Sequence, residues 1–483
     1  MQTTQLLING EYLDAAQGKT YDCIDPITEQ PASRAAAASS KDAIAAANAA
    51  AAAFTDWALT GPGTRRSILM KAADILEARS QEFVAAMQAE TGSSAVWAGF
   101  NCHLAAGHMR EAAAMTTSIT GDVIPSDKAG SFAMSVKEPI GVCLCIAPWN
   151  APVILGVRAI AMPLACGNTV IFKASELCPK THALIADVLV EAGLPAGVIN
   201  VITNAPQDAA EIVRTLIEQP CVRHVNFTGS TRVGRIIAEQ CARHLKRHVL
   251  ELGGKAPLLV LEDADLDAAV SAAAFGAFMN QGQICMSTER LIVDNRIADE
   301  FVQRLKTKVE TLQAGNPREG NFPLGAMISA DAARRVKNMV DEAVSKGAVK
   351  ITGGQVQGAI MQPTIVDHVT PEIALYRDES FGPVVSVIRV NSEDEAITVA
   401  NDTDYGLSAA VFSRDISRAM AVARRIHSGI CHINGSTVHD EGQMPFGGVK
   451  DSGYGRFGGK AGISEFTETR WLTIQSGTPH YPI

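Results

Sequence analysis

Hydrophobic residues recur along this chain at two spacings, one typical of helices and one typical of strands. Apolar and alanine-rich positions follow the helical spacing over residues 40–57 and 65–117, which predicts a series of amphipathic helices. Short apolar runs at Val142–Ala147 and Thr169–Phe172 predict buried strands. Strands and helices then alternate to about residue 260. That alternation predicts a parallel sheet with helices on both faces, which is the α/β class.

A second region of alternating elements is predicted from about residue 252 to residue 450. Its clearest elements are a helix at Leu266–Phe278, a strand at Arg290–Val293, a helix at Ala332–Lys346, a strand at Val384–Val390 and a helix at Glu393–Asn401. A chain of 483 residues exceeds one ordinary hydrophobic core. We therefore expect two or three domains, of which at least two are α/β.

Two segments near the chain ends carry strand signals outside this alternation. Residues 6–12 place apolar side chains around Asn9 and Gly10, which predicts a hairpin with a type I′ turn. The apolar run Trp471–Ile474 predicts a strand that lacks a partner within the chain. Because an unpaired strand edge favours pairing with another chain, we expect a homodimer or a dimer of dimers.

The composition narrows the class of protein. A hydrophobic content of 47% fits a globular fold, and a formal net charge of -9 argues against a nucleic-acid surface. The first twelve residues lack the pattern of a signal peptide, and no apolar run reaches the length of a membrane helix. The ten cysteines are scattered without a zinc-type spacing, so we expect no metal and a reducing cytoplasmic location.

One cysteine lies where reactive side chains are usually found. Cys285 follows Gly282 on a short connection between the predicted helix and strand, and loops held by rigid elements often carry catalytic groups. Gln281 and Gln283 supply amides that can fix this loop. A thiol reacts as a thiolate, so this cysteine would need a base, a cation or aimed backbone dipoles. The alternative is a buried cysteine that acts as a small hydrophobe.

Two further motifs favour the reactive alternative. Glu251 ends a predicted strand and is followed by Gly253 and Gly254, which allow the backbone to pass close to another group. Asn150 is a lone amide in an apolar stretch. A nucleophile, a carboxylate base and an amide donor are the three roles that acyl chemistry requires.

Three motifs together resemble the aldehyde dehydrogenase superfamily. They are F-x-x-x-G-Q-x-C at residues 278–285, E-L-G-G-K at residues 251–255 and P-W-N at residues 148–150, and the resemblance extends from Leu7 to Gly448. It implies a Rossmann-type cofactor domain with a parallel sheet, an α/β catalytic domain and a small β oligomerisation flap. The implied boundaries are residues 1–119 and 141–251 for the NAD-binding domain, 252–450 for the catalytic domain, and 120–140 with 451–483 for the oligomerisation and bridging segments. We expect residues 120–140 to leave the main body and to pair with another subunit.

The resemblance also implies a cofactor site. The stretch at residues 227–234 follows a strand and begins a helix, where backbone N–H groups favour a phosphate, although a plain serine-capped helix start fits equally well. Lys173 can donate to ribose hydroxyls, and Glu176 can accept from the 2′-hydroxyl and repel a 2′-phosphate, which favours NAD over NADP; a surface ion pair is the alternative. The cofactor-binding residues implied are Ile146, Trp149, Lys173, Ser175, Glu176, Gly229, Ser230, Thr231, Arg232, Val233, Gly234, Leu252, Glu379 and Phe381.

The implied mechanism uses the three residues that the motifs supply. The Cys285 thiolate attacks an aldehyde, and Asn150 with the Cys285 N–H stabilises the oxyanion. NAD accepts hydride, and Glu251 then activates water to hydrolyse the thioester. A partly buried Glu251 should have a raised pKa that suits this work near neutral pH.

The implied substrate pocket favours an aromatic aldehyde. Its residues are Trp97, Ala151, Ile154, Leu155, Arg158, Ile284, Met286, Thr437, His439 and Phe446. The small Ala151 leaves room for a flat ring that Trp97 and Phe446 can sandwich. Arg158 needs an acceptor, which is either a ring oxygen of the substrate or the side chain of Asp440 or Glu441. The stretch at residues 435–454 resembles aromatic aldehyde dehydrogenases most, and we expect salicylaldehyde as the substrate.

Three alternatives remain open at this stage. A broad-range aliphatic or semialdehyde dehydrogenase would share the motifs. An acyltransferase would pass the thioester to coenzyme A, but such relatives usually lack the base at Glu251. A non-enzymatic protein that reuses the fold would have no reason to combine Cys285, Glu251 and Asn150.

Overall fold

The N-terminal residues form two small pieces of sheet. The structure is a computed structural model and describes residues 3–478 and 480–483. The first strands are β1 (Thr3–Thr4), β2 (Leu6–Ile8), β3 (Glu11–Leu13), β4 (Thr20–Ile24) and β5 (Pro31–Ala36). β2 and β3 are antiparallel, and the residues between them, Asn9 and Gly10, have φ angles of 53° and 80°. The predicted hairpin with a type I′ turn is therefore confirmed.

Four helices follow, as the hydrophobic spacing predicts. They are α1 (Ser40–Leu59), α2 (Pro62–Ala78), α3 (Ser80–Thr91) and α4 (Ala95–Met115). The Ser39 N–H donates to the Asp42 carboxylate over 2.8 Å, which satisfies one free donor at the start of α1. Trp97 lies in the first turn of α4 and is buried.

The next part of the chain completes the larger sheet. Its elements are β6 (Val123–Ile124), β7 (Ser131–Pro139), β8 (Val142–Ile146), α5 (Pro152–Ala165), β9 (Thr169–Lys173), α6 (Pro179–Glu191), β10 (Ile199–Ile202), α7 (Ala209–Glu218), β11 (Val222–Thr228), α8 (Thr231–Arg243) and β12 (Arg247–Glu251). In the described residues the sheet has the order β12-β11-β8-β9-β10-β2-β3, and the first five of these strands are parallel. The strand order reverses between β8 and β11, and crevices at such reversals bind ligands in open α/β sheets.

A second sheet comes from residues 256–433. Its elements are β13 (Ala256–Val260), α9 (Leu266–Phe278), β14 (Thr288–Asp294), α10 (Asn295–Val309), α11 (Ala330–Ser345), β15 (Val349–Thr352), β16 (Val356–Gln357), β17 (Ile360–Met361), β18 (Thr364–Asp367), α12 (Ala374–Arg377), β19 (Val384–Val390), α13 (Glu393–Asn401), β20 (Ser408–Phe412), α14 (Ile416–Ala423) and β21 (Ile430–Ile433). The sheet order over the described chain is β15-β18-β19-β14-β13-β20-β21, parallel except for β15. Every residue of β13 and β14 is buried, as expected for parallel strands covered on both faces. The α/β fold class is confirmed.

The C-terminal segment contacts both the larger sheet and a separate flap. Its elements are β22 (Gly453–Tyr454), α15 (Gly459–Glu465) and β23 (Thr467–Gln475). β22 pairs antiparallel with β12 at the edge of the larger sheet. β23 pairs antiparallel with β7 along nine residues, and β6 lies on the other side of β7.

This pairing corrects one expectation from the sequence. The strand at Trp471–Ile474 was expected to lack a partner within the chain, and that prediction is wrong, because Trp471 lies opposite Ser135 of β7. The two strands are more than 300 residues apart, so local pattern gave no sign of the pairing. No helix in the described part of the chain is both long enough and apolar enough to cross a membrane.

Candidate active site

The loop that carries Cys285 has an unusual backbone. Asn280, Gln281 and Gly282 have φ angles of 48°, 56° and 69°, so three successive residues lie in the left-handed region. A Cβ on Gly282 would lie 2.1 Å from the carbonyl oxygen of Gly382, so only glycine fits there. The strain at the two other residues is of order 1–3 kcal/mol each and must be offset by surrounding contacts.

Two glutamine side chains supply those contacts. Gln281 Nε2 donates to the carbonyl oxygen of Ala326 over 2.5 Å, and Gln283 Oε1 accepts from the Ile328 N–H over 2.9 Å. Both bonds tie the loop to the segment that precedes α11. The expectation that these amides fix the loop is confirmed.

Glu251 and Cys285 line the same cavity, whose volume is about 290 Å³. Glu251 is the last residue of β12 and is 1% exposed. The backbone after it passes directly under the cysteine, because a Cβ on Gly254 would lie 2.2 Å from the Cys285 carbonyl oxygen. Gly254 therefore allows the segment after β12 and the Cys285 loop to approach each other.

The two side chains change each other's proton affinity. Burial raises the pKa of Glu251 to about 7, against the lowering effects of the Arg158 charge and the Cys285 thiol. Burial also raises the pKa of the Cys285 thiol, and the nearby Glu251 adds to that rise, while Arg158 opposes it. The rise expected for Glu251 is confirmed. The thiol is protonated at neutral pH in this arrangement, and the neighbouring carboxylate is the group placed to take its proton.

Asn150 lies beside the cysteine loop and is held by three hydrogen bonds. Its Nδ2 donates to the Gln283 carbonyl over 2.9 Å, and its carbonyl oxygen accepts from Trp97 Nε1 and Asn280 Nδ2. The second Nδ2 hydrogen remains available. The Cys285 N–H also donates to no acceptor within residues 3–478 and 480–483. Two donors are therefore present near the thiol, as an oxyanion requires.

The cavity shared by Glu251 and Cys285 extends to the point where the strand order of the larger sheet reverses, between β8 and β11. Its lining residues are Pro148, Trp149, Asn150, Leu155, Thr228, Gly229, Ser230, Glu251, Leu252, Gly253, Cys285, Glu379 and Phe381. The Ser230 side chain caps α8, so Thr231, Arg232 and Val233 form the first helical turn. Gly234 packs against Leu252, where a Cβ would lie 2.5 Å from the leucine side chain.

The predicted ribose-binding residues lie beyond this cavity on the neighbouring strand. Ile146 and Lys173 are register partners at the carboxyl ends of β8 and β9. Lys173 forms an ion pair with Glu176, whose Oε1 also accepts from Asn204 Nδ2 over 3.0 Å. The Ser175 N–H donates to His182 Nδ1. An ammonium donor and a carboxylate acceptor at this edge fit the hydroxyl pair of a ribose, and the helix start fits a phosphate.

A buried ion pair that the sequence analysis missed holds the segment that carries Phe381. Lys255 is paired with Glu289, and Glu289 accepts from the backbone N–H groups of Ser380 and Phe381 over 2.9 to 3.1 Å. Phe381 has a φ of 45° and meets the Trp149 ring edge-on at 5.7 Å. The adjacent Glu379 accepts from the Gly254 N–H over 2.9 Å. The lysine of the E-L-G-G-K motif therefore stabilises a strained segment of the cavity wall.

A second cavity of about 300 Å³ opens on the other side of Cys285. Its lining residues are Trp97, Phe100, Leu104, Asn150, Ala151, Ile154, Leu155, Arg158, Phe275, Ile284, Cys285, Met286, Val438, His439, Asp440 and Phe446. Nine of the ten predicted pocket residues line it. Thr437 does not, because its hydroxyl donates inward to the Met286 carbonyl oxygen and its neighbour Val438 takes the place on the wall. Phe100 and Leu104 were missed, although they lie three and seven residues after Trp97 on α4.

Arg158 is buried in this cavity and paired with an acid. It donates to Asp440 Oδ2, which His108 Nε2 also contacts at 3.2 Å, and its guanidinium lies 4.0 Å from the Phe446 ring centroid. Of the two acids considered from the sequence, Asp440 is the partner, while Glu441 contacts His439 instead. Burial raises the pKa of Asp440, but Arg158 and His108 outweigh it and lower the value to about 2.

Comparisons with known proteins agree with this geometry. The model of the aldehyde dehydrogenase family matches residues 12–472. A vanillin dehydrogenase of Pseudomonas sp. (strain HR199 / DSM 7063) is 62% identical over 478 residues, which cover 99% of each chain. A salicylaldehyde dehydrogenase of Pseudomonas sp. (strain C18) is 50% identical over 480 residues, again 99% of each. The crystal structure of a salicylaldehyde dehydrogenase from Pseudomonas putida G7 complexed with salicylaldehyde superposes with a TM-score of 0.98 at 50% identity, covering both chains completely.

Proposed function

This chain belongs to the aldehyde dehydrogenase family, and on that premise we propose that it oxidises an aromatic aldehyde to the carboxylate with NAD. One observation carries the proposal. Cys285, Asn150 and Leu155 line both cavities, so the thiol lies where a space beside the sheet reversal meets a space walled by aromatic and apolar side chains. A nucleophile at that junction can hold an aldehyde while a cofactor approaches from the opposite side.

In the proposed first step, Cys285 becomes a covalent nucleophile. Glu251 takes the thiol proton, and the thiolate adds to the aldehyde carbon, so that a C–S bond forms and the carbonyl oxygen becomes an oxyanion. The free Nδ2 hydrogen of Asn150 and the Cys285 N–H donate to this oxyanion. Removal of one such donor typically lowers the rate about 10²–10³-fold.

In the proposed second half of the reaction, Glu251 acts as a general base. NAD, when bound, supplies the acceptor for the hydride that leaves the former aldehyde carbon. Cys285 then carries the acyl group as a thioester. Glu251 removes a proton from water as the water adds to the thioester carbon, and the carboxylate product leaves as the C–S bond breaks. A pKa of about 7 suits a base that must lose and gain its proton near neutrality.

We propose NAD rather than NADP as the cofactor. The Glu176 carboxylate is held by Lys173 and Asn204 at the carboxyl edge of the larger sheet. A carboxylate there accepts a hydrogen bond from a 2′-hydroxyl and repels a 2′-phosphate. In this proposal residues 1–119 and 141–251 form the domain that binds the cofactor, and residues 252–450 form the catalytic domain that supplies the nucleophile.

We propose a hydroxylated aromatic aldehyde as the substrate. The cavity beyond Cys285 is lined by Trp97, Phe100 and Phe446, and Arg158 with Asp440 supplies its polar end. Salicylaldehyde, which the sequence favours, carries its hydroxyl beside the aldehyde. Vanillin carries a hydroxyl opposite the aldehyde and a methoxy group beside that hydroxyl. A ring hydroxyl common to both fits a polar group in an otherwise apolar cavity.

The activity can be tested with the purified protein, NAD and a panel of benzaldehyde, salicylaldehyde, vanillin and a straight-chain aldehyde. The proposal expects NADH formation with the aromatic aldehydes at a kcat/KM at least about tenfold above the aliphatic one. Reactions run without coenzyme A distinguish this activity from that of an acyltransferase. Reactions with NADP in place of NAD test the cofactor preference. A strict requirement for coenzyme A, or an equal preference for aliphatic substrates, contradicts the proposal.

A further inference from the structure

We propose that Asp440 and Arg158 together form a binding site for a single hydroxyl group on the substrate ring, and that this site takes the hydroxyl opposite the aldehyde. The inference rests on the proposed oxidation of aromatic aldehydes and specifies which ring position is recognised. It assigns the recognition to Asp440 as the acceptor, with Arg158 as the donor that completes it.

Two polar atoms of this ion pair have no partner among residues 3–478 and 480–483. Arg158 donates through its Nη2 to Asp440 Oδ2, and His108 Nε2 shares that same oxygen. In the described part of the chain, Asp440 Oδ1 and Arg158 Nε are both buried without a hydrogen-bond partner. Buried polar groups in folded proteins are nearly always satisfied, so each exception asks for an explanation. In the proposal, a group on a bound ligand is the partner of these two atoms, since both residues line the substrate cavity.

The chemistry of the two atoms matches a neutral hydroxyl. Asp440 is ionised at neutral pH and can only accept, whereas Arg158 Nε can only donate. A phenolic hydroxyl has one proton to donate and lone pairs that accept. It can therefore donate to Oδ1 and accept from Nε at once. A carboxylate or phenolate on the substrate would instead meet the Asp440 charge with no proton to share, and like charges repel.

The helices that border the cavity place this pair away from the thiol. Along α5, Arg158 lies seven residues after Ala151, about 10 Å along the axis, and its side chain leans back toward the helix start. Along α4, His108 lies eleven residues after Trp97, about 16 Å along the axis. Trp97 contacts Asn150, and His108 contacts Asp440, so both helices advance from the catalytic end to the polar end.

This direction selects the ring position. A hydroxyl beside the aldehyde stays near the Cys285 and Asn150 end of the cavity when the carbonyl carbon is attacked. A hydroxyl opposite the aldehyde lies across the full width of the ring, toward the polar end. The geometry therefore favours 4-hydroxybenzaldehyde and vanillin over salicylaldehyde.

The first experiment uses the unaltered protein with NAD. We expect kcat/KM for 4-hydroxybenzaldehyde to exceed that for benzaldehyde by about tenfold or more, since hydrogen bonds to charged groups are among the strongest. The 2-hydroxy isomer should gain less than the 4-hydroxy isomer. The inhibition constants of 4-hydroxyacetophenone and acetophenone, which cannot be oxidised, should show the same order. An equal or larger advantage for the 2-hydroxy isomer overturns the assignment.

The second experiment compares two neighbouring acids. In Asp440→Ala, and less completely in the shape-preserving Asp440→Asn, the ratio of kcat/KM for 4-hydroxybenzaldehyde over benzaldehyde should fall about tenfold or more toward one. The ratio within one variant cancels any effect that Asp440 has on the catalytic groups. Glu441→Gln removes the same charge one residue away, from a side chain outside the cavity wall, and should leave the ratio as in the parent.

The outcomes separate this inference from the proposed function. If no aromatic aldehyde is oxidised, the proposed function fails. If benzaldehyde is oxidised and the 4-hydroxyl gives no advantage, or if the advantage persists in both Asp440 variants, only the hydroxyl site is wrong.

Discussion

At the scale of single residues, Cys285 and Glu251 share one buried space, where burial raises the pKa of both groups and the Glu251 charge raises that of the thiol further. Neither oxygen of Glu251 has a hydrogen-bond partner of ordinary geometry among the residues that the structure describes. An unpartnered buried carboxylate holds its proton more tightly than one in water. The result is a base whose protonation changes in the range where the enzyme would work.

The pH dependence of turnover follows from that pKa. We expect kcat to rise with pH through about 7, because a general base acts only in its deprotonated form and burial raises the pKa of Glu251 to about 7. Glu251→Gln should remove this rise and lower kcat about 10²–10⁴-fold. The measurement is kcat at saturating NAD and aldehyde across the neutral range.

A matched control is available in the same cavity. Burial, with the nearby Glu289 charge, raises the pKa of Glu379 to about 7 as well. Glu379→Gln should alter cofactor affinity yet retain the pH-dependent rise. If the pH-dependent rise in kcat disappears in Glu379→Gln and persists in Glu251→Gln, the titrating group is Glu379, and our assignment of it to Glu251 is wrong.

Single residues in short motifs could be predicted from the sequence, whereas residues whose roles depend on distant contacts could not. Motif residues such as Cys285 and Asn150 could be named because their neighbours form recognisable short patterns. Glu289 could not be named, because its role depends on Lys255 and on backbone N–H groups 91 and 92 residues away. Asp440 was considered only as a partner for Arg158. One of its oxygens has no partner among the described residues, and that is a property of the folded cavity rather than of the local sequence.

At the scale of elements, local pattern predicted most helices and strands closely. The helix at Leu266–Phe278 and the helix at Glu393–Asn401 have the predicted bounds. Their apolar spacing and their capping residues are local, so the sequence contains the information. The left-handed run at Asn280 and Gln281 was not predicted, because contacts from a distant segment hold it in place.

The buried pair of Lys255 and Glu289 links an element to the cavity wall. We expect Lys255→Met to lower the free energy of unfolding by about 3–5 kcal/mol, because it leaves a buried carboxylate unpaired. It should also raise KM for NAD, since Glu289 holds the Ser380 and Phe381 N–H groups. Urea unfolding and steady-state kinetics measure the two effects.

The double variant is the control for this prediction. Adding Glu289→Gln to Lys255→Met removes the unpaired charge and should restore part of the lost stability. Two results would show that the pair does not act as a unit. One is a Lys255→Met variant as stable as the parent, and the other is a double variant whose loss of stability equals the sum of the losses in Lys255→Met and Glu289→Gln alone.

At the scale of the whole molecule, two largely parallel sheets meet at Cys285 and a small flap extends from them. The flap consists of β6, β7 and β23, and it exposes Val123, Trp471 and Ile474. β7 lies between the other two strands, and no strand of the described residues pairs with the outer edge of β23. Exposed apolar side chains beside an open edge favour a second copy of the chain.

Assembly through this edge is a testable prediction. We expect the parent to sediment as a dimer or a dimer of dimers, and Trp471→Lys with Ile474→Lys to shift it toward the monomer, because charges on an edge strand oppose pairing. Val349→Lys and Val344→Lys change two other exposed apolar residues and serve as the control. A parent that sediments as a monomer contradicts the prediction.

The whole-molecule scale also shows the limit of local pattern. The strand at Trp471–Ile474 was recognised, but its pairing with β7 was not, because contacts over long sequence separation leave no periodic signal. The resemblance to a known family supplied the larger arrangement that periodicity alone could not.

The central claim is that one sulfur carries the acyl group until Glu251 activates water to release it, and a trapped intermediate tests this most directly. Glu251→Gln is mixed with NAD and benzaldehyde, and the intact protein is examined by mass spectrometry and by the amplitude of NADH formed in the first turnover. We predict that about one NADH per chain forms, more slowly than in the parent because Glu251 no longer takes the thiol proton, and that a benzoyl adduct remains which peptide mapping assigns to Cys285 and hydroxylamine removes. An absent adduct after one NADH per chain has formed, or an adduct on another cysteine, would contradict the account.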